Sequence, residues 1–221
     1  MTQHPADYIQ RLISEGEHVH QDFKFEISDA RKIAKSISAF ANTEGGRLLV
    51  GVKDNGKIAG VRSEEEIYMI EAAAQRYCTP PVDIHAYIHK VEGKDVLEVV
   101  IDENTQKPVY ALDENERKRA YIRIKDETIL ASPIHLDIWR HNRTEEKVII
   151  TYTPREQQIL SLLEQHSTLS LNQCQRLTRM NRKRIVSLLA DFIRFGLVEP
   201  VFYDHTFRFR LKEDPQTSTT V

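Results

Sequence analysis

The 221-residue sequence is poor in features that would mark a special class of protein. Its two cysteines, Cys78 and Cys174, are far apart and form no C-x-x-C pair, so we expect both to be reduced and partly buried. No apolar run approaches the roughly 20 residues of a membrane-spanning helix, and no basic-then-apolar leader opens the chain. No G-x₄-G-K-[ST] P-loop occurs. We therefore expect a cytoplasmic protein that contacts no membrane, hydrolyses no ATP and needs no cofactor.

Charge is unevenly distributed along the chain. The formal net charge is −2, but residues 146–221 hold 11 Lys/Arg against 8 Asp/Glu, a net charge of +3, whereas residues 1–145 hold 20 against 25, a net charge of −5. The basic excess lies mainly between Arg176 and Arg210. Overall charge therefore does not predict a nucleic-acid-binding protein, and a charge argument applies only to this C-terminal region.

Residues 35–60 are the most informative stretch. A helix with apolar side chains at 3/4 spacing carries Ile33, Ile37, Phe40 and Ala41. It runs into Asn-Thr-Glu-Gly-Gly at 42–46, an apolar strand at 48–52 and an Asp-Asn-Gly turn at 54–56. The adjacent glycines allow positive φ at the helix end and close approach of the backbone to a neighbour. Alone, this pattern predicts only a tight helix-to-strand corner.

The wider order of motifs is more specific. In sequence they read GEHVHQDFK (16–24), AFANTEGG (39–46), GVKDNGKIAG (51–60), KPVY (107–110) and AYIR (120–123). This order resembles the Schlafen AlbA-like domain family over residues 8–131. The resemblance implies an α+β domain. Bacterial members are often described as transcriptional regulators or ATP-binding proteins, and some members of the family are endoribonucleases that cut structured RNA.

The resemblance also implies a possible acidic site. The acidic triad of the nucleases falls on Glu17, on Asp22, which is one methylene shorter than the family's glutamate, and on Asp54, or on Lys53 if the earlier carboxylate of that turn is the functional one. Such carboxylates could hold Mg²⁺ or Mn²⁺ and activate water. A lysine at 53 would remove a ligand and add a repelling charge. We therefore predict no catalytic residues and no metal, with a metal-dependent endoribonuclease as the alternative.

The same domain could instead bind a polyanion, RNA included. Its amides and cations around the glycine corner could contact phosphate groups as a backbone nest with basic side chains. The residues proposed for this role are Lys24, Asn42, Thr43, Gly45, Gly46, Arg47 and Arg123. The net negative charge of this half weakens the case for a broad basic face.

The positions of helix caps, prolines and polar connectors predict two domains and a tail. Residues 1–145 should form an α+β domain with a mixed sheet, which includes a helix opened by a Ser63/Glu66 capping box and two β-hairpins, at 83–101 and 109–125. Residues 146–213 should form three short helices, the first two opened by capping boxes at Thr153 and Ser170, and a β-hairpin, which is the layout of a winged helix-turn-helix. The polar residues 214–221 are predicted to be a disordered tail.

In a helix-turn-helix the N-terminal residues of the second helix lie nearest the bases. Here that helix begins Asn-Arg-Lys-Arg at 181–184, and three cations in a first turn oppose the helix macrodipole, which suggests an anionic ligand. The predicted DNA contacts are Arg179, Asn181, Arg182, Lys183, Arg184, Ser187, Arg194, Arg208 and Arg210. We therefore predict a non-enzymatic DNA-binding regulator that forms a homodimer. The alternatives are the ribonuclease and a module whose winged helix binds protein.

Overall fold

The computed structural model describes residues 5–143 and 152–213. It divides into two compact units, Met1–Ala131 and Ser132–Val221. The sequence predicts the domain boundary at 145/146, but the helix after Ala131 belongs to the second unit and not to the first. The tail predicted at 214–221 lies outside the described residues. None of the described helices has the length and apolar character that crossing a bilayer requires.

The first unit contains three helices and eight strands within its described part. In chain order these are α1 (Pro5–Glu15), β1 (Gln21–Lys24), α2 (Ala30–Asn42), β2 (Gly46–Val50), α3 (Glu64–Gln75), β3 (Cys78–Thr79), β4 (Ile84–Val91), β5 (Lys94–Ile101), β6 (Tyr110–Leu112), β7 (Lys118–Ile124) and β8 (Glu127–Leu130). Both predicted hairpins, β4–β5 and β6–β7, are present as antiparallel pairs. Sequence reasoning missed α1, β3 and β8.

Two four-stranded sheets organise this unit. The first has the order β1-β2-β5-β4 and is mixed, as predicted, because β1 and β2 are parallel whereas β2–β5 and β5–β4 are antiparallel. The second has the order β3-β6-β7-β8 and is antiparallel throughout. The α+β class is therefore confirmed.

Helix α2 lies at the centre of the larger core of this unit. Asp29 caps it by accepting a hydrogen bond from the backbone N–H of Arg31, and its last turn closes where the N–H groups of Thr43 and Gly45 both donate to the carbonyl of Phe40. Its apolar residues are almost fully buried with those of α3 and both sheets. A smaller cluster on the other face of the first sheet packs under α1. Burial of each large side chain stabilises the fold by about 1.5–3 kcal/mol.

The second unit begins with the reassigned helix. Its described elements are α4 (Pro133–Arg143), α5 (Pro154–Gln165), β9 (Leu169–Ser170), α6 (Leu171–Thr178), α7 (Arg182–Arg194), β10 (Val198–Tyr203) and β11 (Thr206–Leu211). The hairpin β10–β11 pairs with the two-residue strand β9 to give a small three-stranded sheet. The helices and hairpin predicted for residues 153–211 are thus present, with β9 added.

Helix capping follows the sequence at two of three predicted sites. Thr153 and Ser170 form complete capping boxes at the starts of α5 and α6. The box predicted at Ser63 is absent, because the Ser63 side chain makes no capping hydrogen bond. The carboxylate of Glu66 instead accepts hydrogen bonds from the backbone N–H groups of Ile27 at 2.9 Å and Arg62 at 2.8 Å. Glu66 is buried and ties the loop before α2 to α3.

A histidine near the start of α4 gives the second unit a pH-dependent stability. His135 Nδ1 accepts a hydrogen bond from the Ser132 backbone N–H, and its ring contacts Phe207 at a centroid distance of 4.9 Å. Burial lowers the pKa of His135 to about 4. In an unfolded chain the pKa of histidine is about 6.5, so the unfolded state takes up this proton first. The stability contribution is complete above about pH 6.5 and is lost progressively toward pH 4.

We therefore expect the urea midpoint of the second unit to fall as pH is lowered from 7.5 to 5. Fluorescence of Trp139, the single tryptophan, reports unfolding of this unit. The variant His135→Leu should show a flatter dependence over the same range. Equal pH dependence in the two proteins would contradict the assignment.

Candidate functional site

The first turn of α7 and its capping residue, Asn181, include four of the residues predicted to contact DNA. The side chain of Asn181 caps the helix by accepting a hydrogen bond from the backbone N–H of Arg184 at 2.8 Å. Arg182 and Lys183 are exposed. Arg179 is also exposed and ends α6 in the left-handed region, at φ 56°. The structure thus brings Arg179, Asn181, Arg182 and Lys183 to the turn between α6 and α7.

Arg184 has a different environment from its two neighbours. Its Nη2 donates to Glu156 Oε1 at 2.9 Å, and that carboxylate is buried. Burial alone would raise the pKa of Glu156, but hydrogen bonds from Thr153 and the charge of Arg184 outweigh it and lower the pKa. The structure therefore places Arg184 in the framework of the second unit and not among its open cations.

The rest of α7 is covered. Of its thirteen residues, all of them described, only Arg182 and Lys183 are exposed. Ser187 is half-buried, and Arg194 lies 3.8 Å from Asp191 with its side chain 16% exposed. Ser187 and Arg194 are therefore less accessible than Arg182 and Lys183, and the N-terminal turn is the most exposed part of α7.

Helix α4 provides much of this cover. It packs along α7, and a cavity of about 690 Å³ lies between the two helices. Residues of both helices line it: Pro133, Leu136, Asp137, Arg140, His141, Arg182, Lys183, Val186 and Ser187. This cover was not foreseen because α4 had been assigned to the first domain.

The two arginines predicted on the hairpin are also engaged. Arg210 Nε donates to Glu199 Oε1 at 2.6 Å across the β10–β11 pair. Arg208 is half-buried, and its Nη1 donates to Thr168 Oγ1 at 3.3 Å. Both contacts stabilise the small sheet, which leaves the hairpin with less basic character than its sequence indicates.

In the first unit, Glu17 and Asp22 are brought together. Their carboxyl groups lie within hydrogen-bond reach of each other, and Glu17 Oε1 also accepts the backbone N–H of Phe23 at 2.8 Å. Burial raises the pKa of Glu17, and the neighbouring Asp22 carboxyl raises it further. Asp22 is itself buried between Lys24 Nζ at 2.7 Å and Arg123 Nη1 at 3.8 Å.

The third acidic residue does not complete a metal site. Asp54 is exposed in the turn after β2. Within residues 5–143 and 152–213, no group of three or more His, Cys, Asp or Glu side chains is arranged to hold a metal ion. Glu17 and Asp22 thus form a two-carboxylate cluster whose buried member is already paired with cations, and this donor set does not fit Mg²⁺ or Mn²⁺ well.

Arg123, predicted to bind an anion at the surface, is instead one of the most buried charges. Its Nη2 donates to the carbonyls of His18 at 3.0 Å and Gln21 at 3.3 Å, and its Nη1 donates to Thr128 Oγ1 at 3.0 Å. The guanidinium carbon lies 4.9 Å from the centre of the Phe40 ring. Burial lowers the pKa of Arg123. This side chain links β7 to the segment that precedes β1.

The polar residues of the glycine corner are used internally as well. Asn42 is buried, and its amide donates to the carbonyls of Val109 at 2.8 Å and Tyr121 at 2.9 Å and accepts the N–H of Val109 at 2.7 Å. Thr43 Oγ1 donates to Ala39 and accepts the backbone N–H of Arg123. The predicted phosphate nest is therefore a structural junction between α2 and the second sheet.

Gly45 and Gly46 complete this junction. A Cβ on Gly45 would lie 2.8 Å from the carbonyl oxygen of Ile101, and one on Gly46 would lie 2.5 Å from the Phe40 ring. The close neighbours of both glycines are thus parts of the protein itself. The two positions fit tight internal packing and leave no room for a phosphate group on that side.

Arg47 belongs to a cluster that sequence reasoning missed. The buried carboxylate of Glu98 accepts hydrogen bonds from Tyr8 Oη at 2.9 Å and from Arg47 Nη1 at 3.3 Å, and it lies 2.9 Å from His89 Nε2. These residues come from α1, β2, β5 and β4. A charged residue within the otherwise apolar run at 96–101 was the available signal.

Comparison with known proteins gives the family of the first unit. The model of the Schlafen, AlbA_2 family matches residues 17–132, more than half of the chain. The chain belongs to this family. A search of curated proteins finds no match.

Two solved structures are similar to parts of the chain. The DIP2311 protein from Corynebacterium diphtheriae matches with 17% identity and a TM-score of 0.45 over 78% of this chain, which spans only 32% of that protein. The second is the N-terminal domain of a Nitrosomonas europaea protein named as related to the ATP-dependent DNA helicase RecG. It matches with 19% identity and a TM-score of 0.42, over 68% of this chain and 97% of that domain.

Proposed function

We propose that this Schlafen AlbA_2 protein is a non-enzymatic DNA-binding regulator that acts as a homodimer and contacts duplex DNA through the first turn of α7. The observation that carries the proposal is the pair of cations Arg182 and Lys183, which are the only exposed residues of that helix. Arg179 adds a third exposed cation at the preceding turn.

The position of these cations is unfavourable for the helix alone. The N-terminus of a helix carries a partial positive charge, so each cation there costs about 0.3–1 kcal/mol. Arg184 is compensated by the buried Glu156, but among the described residues no acidic side chain pairs with Arg182 or Lys183. Arg182 bonds only to the neutral amide of Asn172. A bound phosphate or a guanine edge would remove this electrostatic cost.

The surrounding unit also favours a polyanion. Its described residues, 132–143 and 152–213, contain 12 Lys/Arg against 7 Asp/Glu, a net charge of +5. Its helices and hairpin follow the order of a winged helix, in which the N-terminal residues of the second helix of the motif read base edges. Because the rest of α7 is buried or half-buried, we infer that α7 meets DNA end-on.

The alternatives have less support. A metal-dependent ribonuclease would need Glu17 and Asp22 to bind a cation, but Asp22 is held between Lys24 and Arg123. RNA remains a possible second ligand of the exposed cations, since they would contact its phosphates equally well. A module that binds only protein would not require the two uncompensated cations at the helix start.

The test is a salt titration of DNA binding by Arg182→Ala/Lys183→Ala. If each residue contacts one phosphate, the slope of log affinity against log salt should become less steep by about 2, and affinity at fixed salt should fall on the order of tenfold or more. Stability should hold or rise slightly because the conflict with the macrodipole is relieved. Fluorescence anisotropy with a labelled duplex measures both quantities.

The first unit offers a matched control. Arg117 and Lys118 are a second exposed Arg-Lys pair, so Arg117→Ala/Lys118→Ala removes the same charge elsewhere. This control should bind DNA with the wild-type slope. Equal loss in the two double variants would point to overall charge, and unchanged binding by the α7 variant would exclude this turn as the contact.

A further inference from the structure

Strand β4 forms an unusually long open edge of the first sheet. It has eight residues and pairs with β5 on one side, and among the described residues no strand pairs with its other side. The opposite edge strand, β1, has four residues, and the edge strand β8 of the second sheet also has four. A long edge presents a row of unpaired N–H and C=O groups, which are a template for another strand.

Two of the usual protections of an edge, a bulge and a proline, are absent along β4. All eight residues pair one-to-one with β5 from Ile84 to Val91, so there is no bulge. The strand contains no proline, and its only lysine, Lys90, lies near the end. Residues 85–88 are all exposed, with Tyr87 52% and Ile88 61% exposed. We expect an edge strand of this kind to be covered by another strand in the functional protein.

A cavity lies directly beside the apolar part of this edge. It has a volume of about 270 Å³ and is formed by the residues before and in the first turn of α3 together with β4 and β5. Ile88 lines it with the apolar side chains of Val61, Ile67 and Leu97. An aliphatic or aromatic side chain from an adjoining strand would find apolar surface here.

We propose that β4 pairs antiparallel with β4 of a second copy of this chain. Antiparallel self-pairing about a two-fold axis is isologous, so each chain supplies the same surface and the contact closes at two copies. Charge complementarity favours this occupant. Asp83 precedes the strand and Lys90 lies near its end, and the antiparallel direction brings the acidic end of each strand to the basic end of the other. Parallel pairing would place like charges together.

This pairing would be the contact that forms the homodimer of the proposed function. It rests on the homodimer alone and not on DNA binding. In a register centred on Tyr87, the two Tyr87 side chains face each other and Ile88 lies opposite Ala86 of the other chain. Aromatic and apolar cross-strand pairs of this kind each stabilise a sheet by roughly 0.2–1 kcal/mol, in addition to the backbone hydrogen bonds.

The test is sedimentation equilibrium of the full chain and of Ile88→Lys. The side chain is exposed in the single chain, so the substitution should leave the fold and its circular dichroism unchanged. We expect the wild type to dimerise and Ile88→Lys to raise the dimer dissociation constant at least tenfold, because a lysine at the centre of a sheet edge opposes pairing. Leu130→Lys is the control, since Leu130 is a similarly exposed apolar residue on the edge strand β8.

Hydrogen exchange provides an independent readout. The amides of residues 84–91 that point away from β5 should exchange more slowly at high protein concentration than at low concentration. A protein that stays monomeric at about 100 µM, far above typical affinities of specific dimers, overturns both the homodimer and this surface. A dimer that Ile88→Lys leaves intact, or that Leu130→Lys weakens equally, overturns the surface alone. DNA binding can succeed or fail independently of each result.

Discussion

Replacing Gly46 with valine is expected to lower the free energy of unfolding of the first unit by about 3–5 kcal/mol, the sum of backbone strain and steric overlap. Gly46 has φ +153°, a conformation that residues with a Cβ rarely adopt. A Cβ there would lie 2.5 Å from Phe40 Cδ1 and 2.6 Å from the carbonyl oxygen of His20. Neither neighbour can retreat, because Phe40 is fully buried and the His20 carbonyl accepts the backbone N–H of Arg47.

Urea denaturation followed by far-ultraviolet circular dichroism measures this effect. Gly93→Val is the matched control, since Gly93 also has positive φ, +75°, but a Cβ there meets nothing within 4 Å. The control should lose only about 1–3 kcal/mol from backbone strain. If the two variants unfold at the same urea concentration, the close packing around Gly46 contributes nothing and the junction is looser than the structure indicates.

The glycine corner could be predicted from sequence because its cause is local. Two adjacent glycines after a helix of 3/4 spacing and before an apolar strand indicate positive φ and close approach. The identity of the approaching group could not be predicted, because it depends on which distant segments pack there. For Gly46 the distant segment is the one before β1, at His20, and the Phe40 ring of α2 fills the remaining space, so no phosphate is needed to explain the glycine.

Helix caps also differ in whether local sequence or tertiary packing decides them. The boxes at Thr153 and Ser170 formed as predicted because both partners lie within one turn of each helix. The box at Ser63 did not form because the Glu66 carboxylate instead accepts a hydrogen bond from the backbone N–H of Ile27, which is distant in sequence. A buried carboxylate satisfies backbone donors wherever tertiary packing brings them, and local spacing cannot report that competition.

The candidate DNA site could be predicted only in part, because distant packing decides which of its cations stay exposed. Sequence located the basic turn at 181–184, but it could not separate Arg182 and Lys183 from Arg184. That separation depends on Glu156, which is 28 positions earlier in the chain and buried against α7. Nor could sequence assign α4 to the second unit, because an amphipathic helix near a domain boundary can pack on either side.

The sequence and the structure disagree most about Arg123, which was predicted to bind an anion but is buried. Its burial leads to the second prediction with a large expected effect. Arg123→Met is expected to lower the free energy of unfolding by about 3–5 kcal/mol, because removing this buried cation weakens the pairing of Asp22 and leaves buried acceptors without their donor. Asp22 would lose one of its two cations, and the carbonyls of His18 and Gln21 would lose their donor. Methionine keeps most of the volume beside Phe40, so the loss would report polar contacts more than a cavity.

The neighbouring strand position supplies the control. Arg119 lies on the same strand, β7, but its side chain is 40% exposed and pairs with Asp113 near the surface. Arg119→Met should therefore cost only about 0–1 kcal/mol. Urea denaturation compares the two variants, and a nucleic-acid titration of the folded proteins separates structure from binding. If Arg123 were a surface anion contact, Arg123→Met would weaken nucleic-acid binding without loss of stability, and that result would reverse its assignment to the core.

The variant Asp22→Asn allows the interaction between Asp22 and Arg123 to be measured. Asp22→Asn removes the buried negative charge, so combining it with Arg123→Met should cost less than the sum of the single losses, by about 0.5–3 kcal/mol. Additive losses would mean that Arg123 acts only through the carbonyls of His18 and Gln21 and that Asp22 is balanced by Lys24 alone. A positive coupling would explain why the two-carboxylate cluster persists in the fold. Glu17 and Asp22 can stand side by side because Arg123 and Lys24 offset their mutual repulsion, and the same offset opposes their use as metal ligands.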